Sequence, residues 1–246
     1  MKASMRKPVI IALSISVLLA CVILVGWPHA RLWMAKREAM KLYEKLPQEE
    51  QAALNCTLLP GIKKITCNET WTEGVSCIRD GYRFSLPSAR YTRQPGPNDR
   101  FESEKTIVGY LGATSLTNEI AKANDKDPKI DSYFKGTDPF QILVDAFNAT
   151  PKGIGDQQTL DGLRKHLILL LIKAQLQPVG ADKSWEVCET DTRKVIVAGN
   201  TSMRGISVMI YLPETRMFAN IIVWPKAGAQ MNDVYQAISD LRLERQ

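Results

Sequence analysis

The sequence predicts an α+β fold, an antiparallel sheet flanked by helices, preceded by a single N-terminal transmembrane helix. Three observations predict it. An uninterrupted apolar run occupies residues 9–27. Apolar residues recur at helical spacing in the middle of the chain, and the C-terminal third changes to short segments rich in β-branched and aromatic residues. Strands joined by short turns are antiparallel, and helices with one apolar stripe cover a sheet face.

The apolar run is the most informative element of the chain. It contains no charged residue, and its length is close to the roughly 20 residues that a helix needs to cross a bilayer. Lys2, Arg6 and Lys7 precede it. We therefore expect residues 1–28 to be a transmembrane signal anchor, which attaches the chain to the membrane through residues 9–27.

Two alternatives to the signal anchor stay open. Leu18-Leu19-Ala20-Cys21 resembles the lipid-attachment box of lipoproteins, in which Cys21 would be acylated. A cleaved signal peptide is the other alternative, and such peptides have an apolar core of roughly 7–15 residues. The run continues with further apolar residues after Cys21, which favours the uncleaved anchor over both.

Flanking charges and cysteines bear on the orientation of the chain. Basic residues lie on both sides of the apolar run, but long domains translocate largely regardless of charge. The chain behind the run has four cysteines: Cys56, Cys67, Cys77 and Cys188. An even number after an export-type segment predicts two disulfide bridges, with three connectivities open, and therefore an extracytoplasmic domain, periplasmic in a bacterium. The alternative is four unpaired buried thiols in a cytoplasmic domain. Zinc is disfavoured because close Cys-x-x-Cys pairs are missing.

The charge balance excludes one class of function. The 32 basic residues outnumber the 26 acidic ones and give a net charge of +6, but three of the basic residues precede the apolar run. The remainder of the chain is close to neutral, whereas a nucleic-acid-binding domain is expected to be strongly basic. We therefore expect no nucleic-acid partner.

Residues 29–54 are predicted to form a helical stalk or juxtamembrane segment. Apolar residues recur at spacings of three and four between residues 32 and 46, with lysines and arginines around them. Pro47 suits the first turn of a short second helix that ends near Leu54. The extracytoplasmic α+β domain is then expected to cover residues 55–246, and about 200 residues are enough for one domain.

The first part of this domain is predicted to be extended, over residues 60–101. Asp80-Gly81 is a strong hairpin signal, because both central positions of such a turn need positive φ. Ile107 to Leu111 is a further strand. A helix is predicted to begin at Thr137-Asp138-Pro139, a capping residue before a proline, and to end near Asn148.

The second part of the domain begins with a long helix over residues 156–176. Its predicted apolar stripe consists of Leu160, Leu163, Leu167, Leu170, Leu171 and Ala174. The four strands predicted after it are Ser184 to Glu189, Lys194 to Ala198, Ile206 to Leu212 and Met217 to Trp224. A final helix with one apolar face extends to Leu241.

The order of these elements resembles that of PsbP-like domains. Gly81-Tyr82-Arg83-Phe84-Ser85-Leu86-Pro87 is similar to their opening strand. The meander from Gly205 to Trp224, followed by the helix to Leu241, is similar to the way in which they close. The resemblance implies an α/β/α sandwich used as an assembly or binding module, with no catalytic residues to carry over. The membrane anchor and the cysteine-rich strands are not part of that pattern.

Candidate catalytic and metal-binding groups are few. The chain has two histidines, His29 and His166, which cannot make a histidine-rich metal site. The sequence contains no phosphate-binding loop, no nucleophile elbow and no zinc-protease motif. We therefore expect no cofactor, no metal and no catalytic residue.

A group of arginines is the most suggestive polar feature. It alternates with aromatic residues and consists of Arg79, Arg83, Arg90, Arg93 and Arg100. Arginine binds carboxylates and phosphates through two parallel hydrogen bonds and stacks on aromatic rings, so the group is a candidate contact for an anion or a partner. The alternative interpretation is a solvated surface with routine ion pairs, which contribute little.

The sequence therefore leads to one functional hypothesis and two alternatives. The leading hypothesis is a single-pass, membrane-anchored binding or assembly module of an envelope complex, with a protein partner and no catalysis. The first alternative is a small membrane-tethered hydrolase that uses carboxylates such as Glu186, Glu189 or Asp191. The second is a peripheral binder of lipid headgroups, which would use residues 29–46 and the arginine group.

Overall fold

The computed structural model describes residues 27–67, 70–94, 99–116, 133–176, 185–190, 192–199 and 205–246. The predicted transmembrane residues 9–27 lie outside the described residues except for Trp27, and Cys21 and Asp191 also lie outside them. No helix within the described ranges is long and apolar enough to cross a membrane.

The chain divides into two compact units. The N-terminal unit comprises Met1–Leu46 and Pro151–Leu167, and the sheet unit comprises Pro47–Thr150 and Ile168–Gln246. The helices are α1 (27–44), α2 (Gln48–Asn55), α3 (Pro139–Asn148), α4 (Gly153–Asp156), α5 (Leu160–Leu176) and α6 (Met231–Ser239). The strands are β1 (Leu58–Lys64), β2 (Gly74–Arg79), β3 (Tyr82–Pro87), β4 (Thr92–Gln94), β5 (Arg100–Glu102), β6 (Thr106–Ser115), β7 (Trp185–Glu189), β8 (Lys194–Ala198), β9 (Ile206–Leu212), β10 (Met217–Pro225) and β11 (Arg242–Arg245).

The described residues of the N-terminal unit include α1, α4 and the first half of α5. Lys36 Nζ in α1 donates a hydrogen bond of 2.7 Å to the Gly155 carbonyl oxygen in α4. Leu32, Ile154 and Leu163 are buried. Other large apolar side chains of α1 are exposed, namely Trp27, Trp33, Met34 and Leu42.

The sheet unit contains two sheets. The strand order is β1-β7-β8-β9-β10-β6-β5-β4 in the eight-stranded sheet and β11-β3-β2 in the three-stranded sheet. All neighbouring strands are antiparallel except β1 and β7, which are parallel. The α+β class is confirmed. The expectation of a purely antiparallel sheet is wrong, because β1 pairs with a strand more than 100 residues away that runs in the same direction.

The predicted hairpin at Asp80-Gly81 is confirmed. Strands β2 and β3 pair in antiparallel register, and the two turn residues have φ values of 51° and 76°. The Asp80 carboxylate accepts a hydrogen bond of 3.0 Å from the main-chain N–H of Ala113 in β6. A Cβ at Gly112 would lie 2.2 Å from that carboxylate, so glycine allows the hairpin turn to approach β6.

One apolar core joins the inner face of the eight-stranded sheet to the three-stranded sheet and α6. Phe84 of β3 lies at its centre, with its ring centroid 5.1 Å from those of Phe101 and Tyr110 in the larger sheet. Val234 and Ile238 extend the core from α6. The three-stranded sheet therefore covers the face that the sequence assigned to helices alone.

Helix α3 covers the opposite face of the eight-stranded sheet. Its start matches the prediction, because the Asp138 side chain accepts a hydrogen bond from the Phe140 N–H and Pro139 occupies the first helical position. Phe147 stacks on Trp185 of β7, with ring centroids 4.3 Å apart. The predicted strands β7 to β10 and helix α6 are confirmed, whereas the short strand β11 was not predicted.

Candidate functional site

An apolar groove lies between β1 and α3 in the sheet unit. We call it the edge groove. Its volume is about 420 Å³, and its principal lining residues are Leu59, Ile62, Phe140, Val144, Val187 and Lys194. This volume falls within the range of about 300–1,000 Å³ that is usual for ligand sites in proteins. The groove is therefore large enough to receive side chains of a partner.

Strand β1 forms one wall of the edge groove and is also an outer edge of the eight-stranded sheet. Among the described residues it pairs only with β7, and no described strand lies on its other side. Leu59 and Ile62 are 47% and 63% exposed. The strand at the opposite edge, β4, has only three residues, and all are polar. Proteins usually protect sheet edges by charge and shortness, and β4 follows this rule while β1 exposes apolar side chains.

The first half of β1 is irregular. Pro60 has no N–H to donate, Gly61 has a φ of 95°, and the register with β7 shifts between Leu58 and Ile62. From Ile62 to Lys64 the pairing is regular. An added strand could therefore pair with a short stretch of main chain that has no partner strand on that side among the described residues, next to the groove.

Charged side chains rim the edge groove. In the register of β1, β7 and β8, Lys64 pairs with Glu189 and Glu189 pairs with Lys194, so one glutamate lies between two lysines on the same sheet face. Lys194 also lies over the Phe140 ring, 5.3 Å from its centroid. The rim therefore carries a small net positive charge.

The two predicted disulfide bridges are absent, because all four cysteines among the described residues are free thiols. Cys56 and Cys67 lie on either side of β1, whose length of about 23 Å is far beyond the Cα separation of a disulfide. Cys77 and Cys188 are buried in the core, where a thiol packs like a small apolar residue. Burial raises the pKa of the Cys77 thiol to about 11 and that of the Cys188 thiol to about 12.

The five arginines that the sequence singled out have separate intramolecular partners. In chain order these are the Tyr110 carbonyl oxygen for Arg79, the Gln246 side chain for Arg83, the Asp240 carboxylate for Arg90, the Asp99 carboxylate for Arg93 and the Trp224 ring for Arg100. One of these contacts is an ion pair of 3.0 Å from Arg90 to the fully buried Asp240. The anion-binding role of the group stays a prediction.

The carboxylates proposed for a hydrolase do not converge. Glu186 and Glu189 are three residues apart in β7, and alternation along a strand places them on opposite faces of the sheet. The Glu186 carboxylate accepts a hydrogen bond from the Tyr235 hydroxyl, and Glu189 lines the edge groove. His166 lies beside Gly153 in the N-terminal unit. Within the described residues, no group of three or more potential metal ligands is present.

The sequence reasoning missed a fully buried lysine, Lys173 of α5. Its ammonium group donates hydrogen bonds to the carbonyl oxygens of Leu54, Cys56 and Ala149, at the C-terminal ends of α2 and α3. Burial lowers the pKa of Lys173 to about 8. The sequence signal for its burial is helical spacing: Lys173 lies three residues after Leu170 and four after Leu169, on the apolar stripe of the helix.

The buried face of α5 differs from the predicted apolar stripe near Lys173. Leu170 is buried as expected, but Leu171 is 36% exposed and Ala174 is exposed. Ile172 and Lys173 are buried in their place. The ammonium group thus links three segments of the chain from inside the sheet unit.

Comparison with protein-family models, curated proteins and solved structures finds no match for this chain.

Proposed function

We propose that this chain is a membrane-anchored binding module of an envelope complex, and that its sheet unit binds an extended segment of a partner protein in the edge groove. The observation that carries the proposal is the apolar, open edge at β1. Extended peptides bind sheet edges through main-chain hydrogen bonds, and pockets for alternate side chains give the specificity. The edge groove offers both elements side by side.

The chemistry of the groove defines the segment. Its walls are aliphatic and aromatic, so alternate side chains of the segment should be apolar. Two lysines against one glutamate at the rim favour a segment that also carries Asp or Glu. Because regular pairing is confined to Ile62–Lys64, apolar side chains in the groove should contribute most of the affinity.

The membrane anchor is part of the same proposal. Residues 9–27 have the length and hydropathy of a span. We infer an N-terminus in the cytoplasm and folded units outside it; the basic residues before the run favour this orientation, whereas those after the run favour the opposite one. The free thiols remove the support that paired cysteines would have given to this orientation. A membrane-impermeant thiol reagent tests it: labelling of Cys67 in intact cells is expected, and labelling only after lysis would contradict it.

A peptide selection tests the binding proposal. Random twelve-residue peptides displayed on phage are selected against the full chain in lipid nanodiscs. We expect enrichment of sequences with alternating aliphatic residues and at least one acidic residue. No enrichment, or enrichment of basic or uniformly polar peptides, would contradict the proposal.

Two variants test whether the selected peptides bind in the edge groove. Ile62→Asp should weaken binding by about tenfold or more, because burial of an isoleucine side chain contributes about 1.5–3 kcal/mol and 1.4 kcal/mol is a factor of ten. Ile78→Asp is the matched control, because Ile78 is an isoleucine in strand β2 that is 59% exposed, similar to Ile62. Equal loss in both variants would place the binding elsewhere.

The exposed side chains of α1 favour a second candidate function, contact with the membrane surface. Trp27, Trp33, Met34 and Leu42 are 46–66% exposed, and α1 also carries several lysines and arginines. Tryptophan with basic residues is typical of helices that lie in the membrane interface. If α1 lies there, Trp33 fluorescence in nanodiscs containing anionic lipid should shift to the blue relative to neutral nanodiscs, and an unchanged spectrum would contradict it.

A further inference from the structure

A second cavity, on the other face of the eight-stranded sheet, lies among the start of β8, the end of α6 and β11. We call it the Arg193 pocket. Its volume is about 330 Å³. The residues that define its chemistry are Cys67, Thr192, Arg193, Ile238, Leu241 and Arg242. Val195 of β8 lines this pocket while its neighbour Lys194 lines the edge groove, so the two sites are separated by the sheet.

The Arg193 guanidinium is the main charged group of the pocket. One of its nitrogens, Nη2, donates a hydrogen bond of 2.5 Å to the Leu243 carbonyl oxygen. Burial lowers the pKa of Arg193, and the negative charge of Glu214 partly offsets this by raising the pKa. Glu214 forms no ion pair with Arg193. Within the described residues, the guanidinium therefore has a neutral oxygen as its hydrogen-bond partner and no carboxylate.

A half-buried guanidinium with remaining N–H groups and no paired carboxylate is suited to an anion. Arginine presents five N–H donors in a planar fork, which matches carboxylate and phosphate oxygens. Removal from water strengthens such an interaction, because the local dielectric constant is lower than in bulk solvent. One bond to Leu243 uses a single donor and holds the group in position.

The rest of the pocket adds a second positive charge and an apolar floor. Arg242 lies over the Trp71 ring, 4.0 Å from its centroid, and Trp71 is itself fixed by a hydrogen bond of 3.0 Å to the Asp240 carbonyl oxygen. The floor consists of aliphatic side chains from the core. Glu244 is the carboxylate among the described lining residues, and it is exposed, so solvent screens its charge.

We propose that the Arg193 pocket binds a small organic anion, with its carboxylate or phosphate group on the Arg193 guanidinium and a short aliphatic body on the floor formed by Ile238 and Leu241. The volume of the pocket fits such a molecule. The site is independent of the edge groove, so the two proposals stand or fall separately.

Cys67 provides a direct test, because its half-buried thiol lines the pocket. The full chain in nanodiscs is treated with iodoacetamide, and the alkylation rate of each cysteine is followed by peptide mass spectrometry. The anionic probes are hexanoate and monobutyl phosphate, and hexanol is the uncharged control. At ten times its Kd, a bound anion should slow alkylation of Cys67 about tenfold by mass action. Cys56, half-buried and outside the pocket, should be unaffected.

The outcome identifies the anionic group or overturns the proposal. Protection by hexanoate alone assigns a carboxylate, and protection by monobutyl phosphate assigns a phosphate. No protection by either probe, or equal protection by hexanol, overturns the proposal.

Two variants add a control for the arginine. Arg193→Gln should abolish the protection of Cys67, and Arg31→Gln, at an exposed arginine of α1 that does not line the pocket, should keep it. The buried Cys188 reports folding, since it stays unreactive only in a folded chain. Protection that persists in a folded Arg193→Gln variant overturns the proposal. If Cys188 becomes reactive in the Arg193→Gln variant, that variant is unfolded. The proposal is then tested on the wild-type chain, by whether hexanoate protects Cys67 and hexanol does not.

Discussion

Replacement of Lys173 by methionine removes the ammonium group that joins α5 to the ends of α2 and α3. The methionine side chain has a similar length and fills the same space, so the substitution isolates the hydrogen bonds and the charge. The carbonyl oxygens of Leu54, Cys56 and Ala149 lose their donor in a buried site.

The free energy of unfolding should fall by about 3 kcal/mol at pH 7. Three acceptors without partners, two of them buried and one half-buried, cost about 5 kcal/mol, at between 1 and 3 kcal/mol for each buried acceptor. Burial of the apolar methionine side chain contributes about 2 kcal/mol of stability in the opposite direction. For a protein of this size, 3 kcal/mol corresponds to a decrease in Tm of roughly 6–12 °C.

The pH dependence provides a second, independent readout. The pKa of Lys173 is lowered to about 8 in the folded protein, whereas an unfolded lysine titrates near 10.4. Between these values the unfolded chain holds a proton that the folded protein has released, so stability rises with pH. The advantage of the wild type over Lys173→Met should therefore grow from pH 8 to pH 10, by about 1.4 kcal/mol per pH unit at most.

Urea unfolding followed by circular dichroism measures both quantities, with Lys152→Met at an exposed lysine as the control. The control should differ from the wild type by less than about 0.5 kcal/mol. A Lys173→Met variant as stable as the control would refute the structural role of the ammonium group. A difference that stays constant from pH 8 to pH 10 would refute the lowered pKa.

Three further predictions concern the sheet unit. The folded protein keeps the proton of the Cys188 thiol, whose pKa is about 12, whereas the unfolded chain loses it above about pH 8.5, so stability falls as the pH rises. Cys188→Val should therefore reduce the loss of stability between pH 8.5 and pH 10, measured by urea unfolding, by up to about 2 kcal/mol. The same pH dependence in the variant and the wild type would contradict the burial of this thiol. Arg90→Gln should cost about 2 kcal/mol, since it removes the ion pair of the fully buried Asp240 carboxylate, which keeps its hydrogen bond of 2.9 Å from Gln236. The exposed Arg83→Gln should cost less than about 0.5 kcal/mol in the same assay, and equal costs would be inconsistent with the structure. Mass spectrometry without reductant should find no bridge, with Cys56 and Cys67 alkylated before the buried thiols, and any disulfide would contradict the fold.

The elements governed by local chemistry were predictable from the sequence. Asp80-Gly81 specifies its turn because both residues adopt positive φ readily, and Asp138 before Pro139 specifies the start of α3. Strands β7 to β10 have the alternation and β-branched content that predict strands. In each case the decisive residues are neighbours along the chain.

The candidate site was not predictable, because it depends on a pairing between distant segments. Pro60 and Gly61 weaken the strand pattern of β1, and its parallel partner β7 follows more than 100 residues later. The thiol pairing and the burial of Lys173 likewise depend on which segments meet in three dimensions. An even number of cysteines is compatible with bridges, but the length of β1 separates Cys56 from Cys67.

Site-specific photo-crosslinking in the native membrane tests the proposed capture of a partner segment most directly. A photoreactive amino acid is placed at Ile62 in the full chain, and at Ile78 in a control chain. We expect a discrete protein adduct from position 62 that disappears when the selected acidic-aliphatic peptide is added in excess, and no such adduct from position 78. An adduct from both positions, an adduct that the peptide does not displace, or no adduct from position 62 would contradict it.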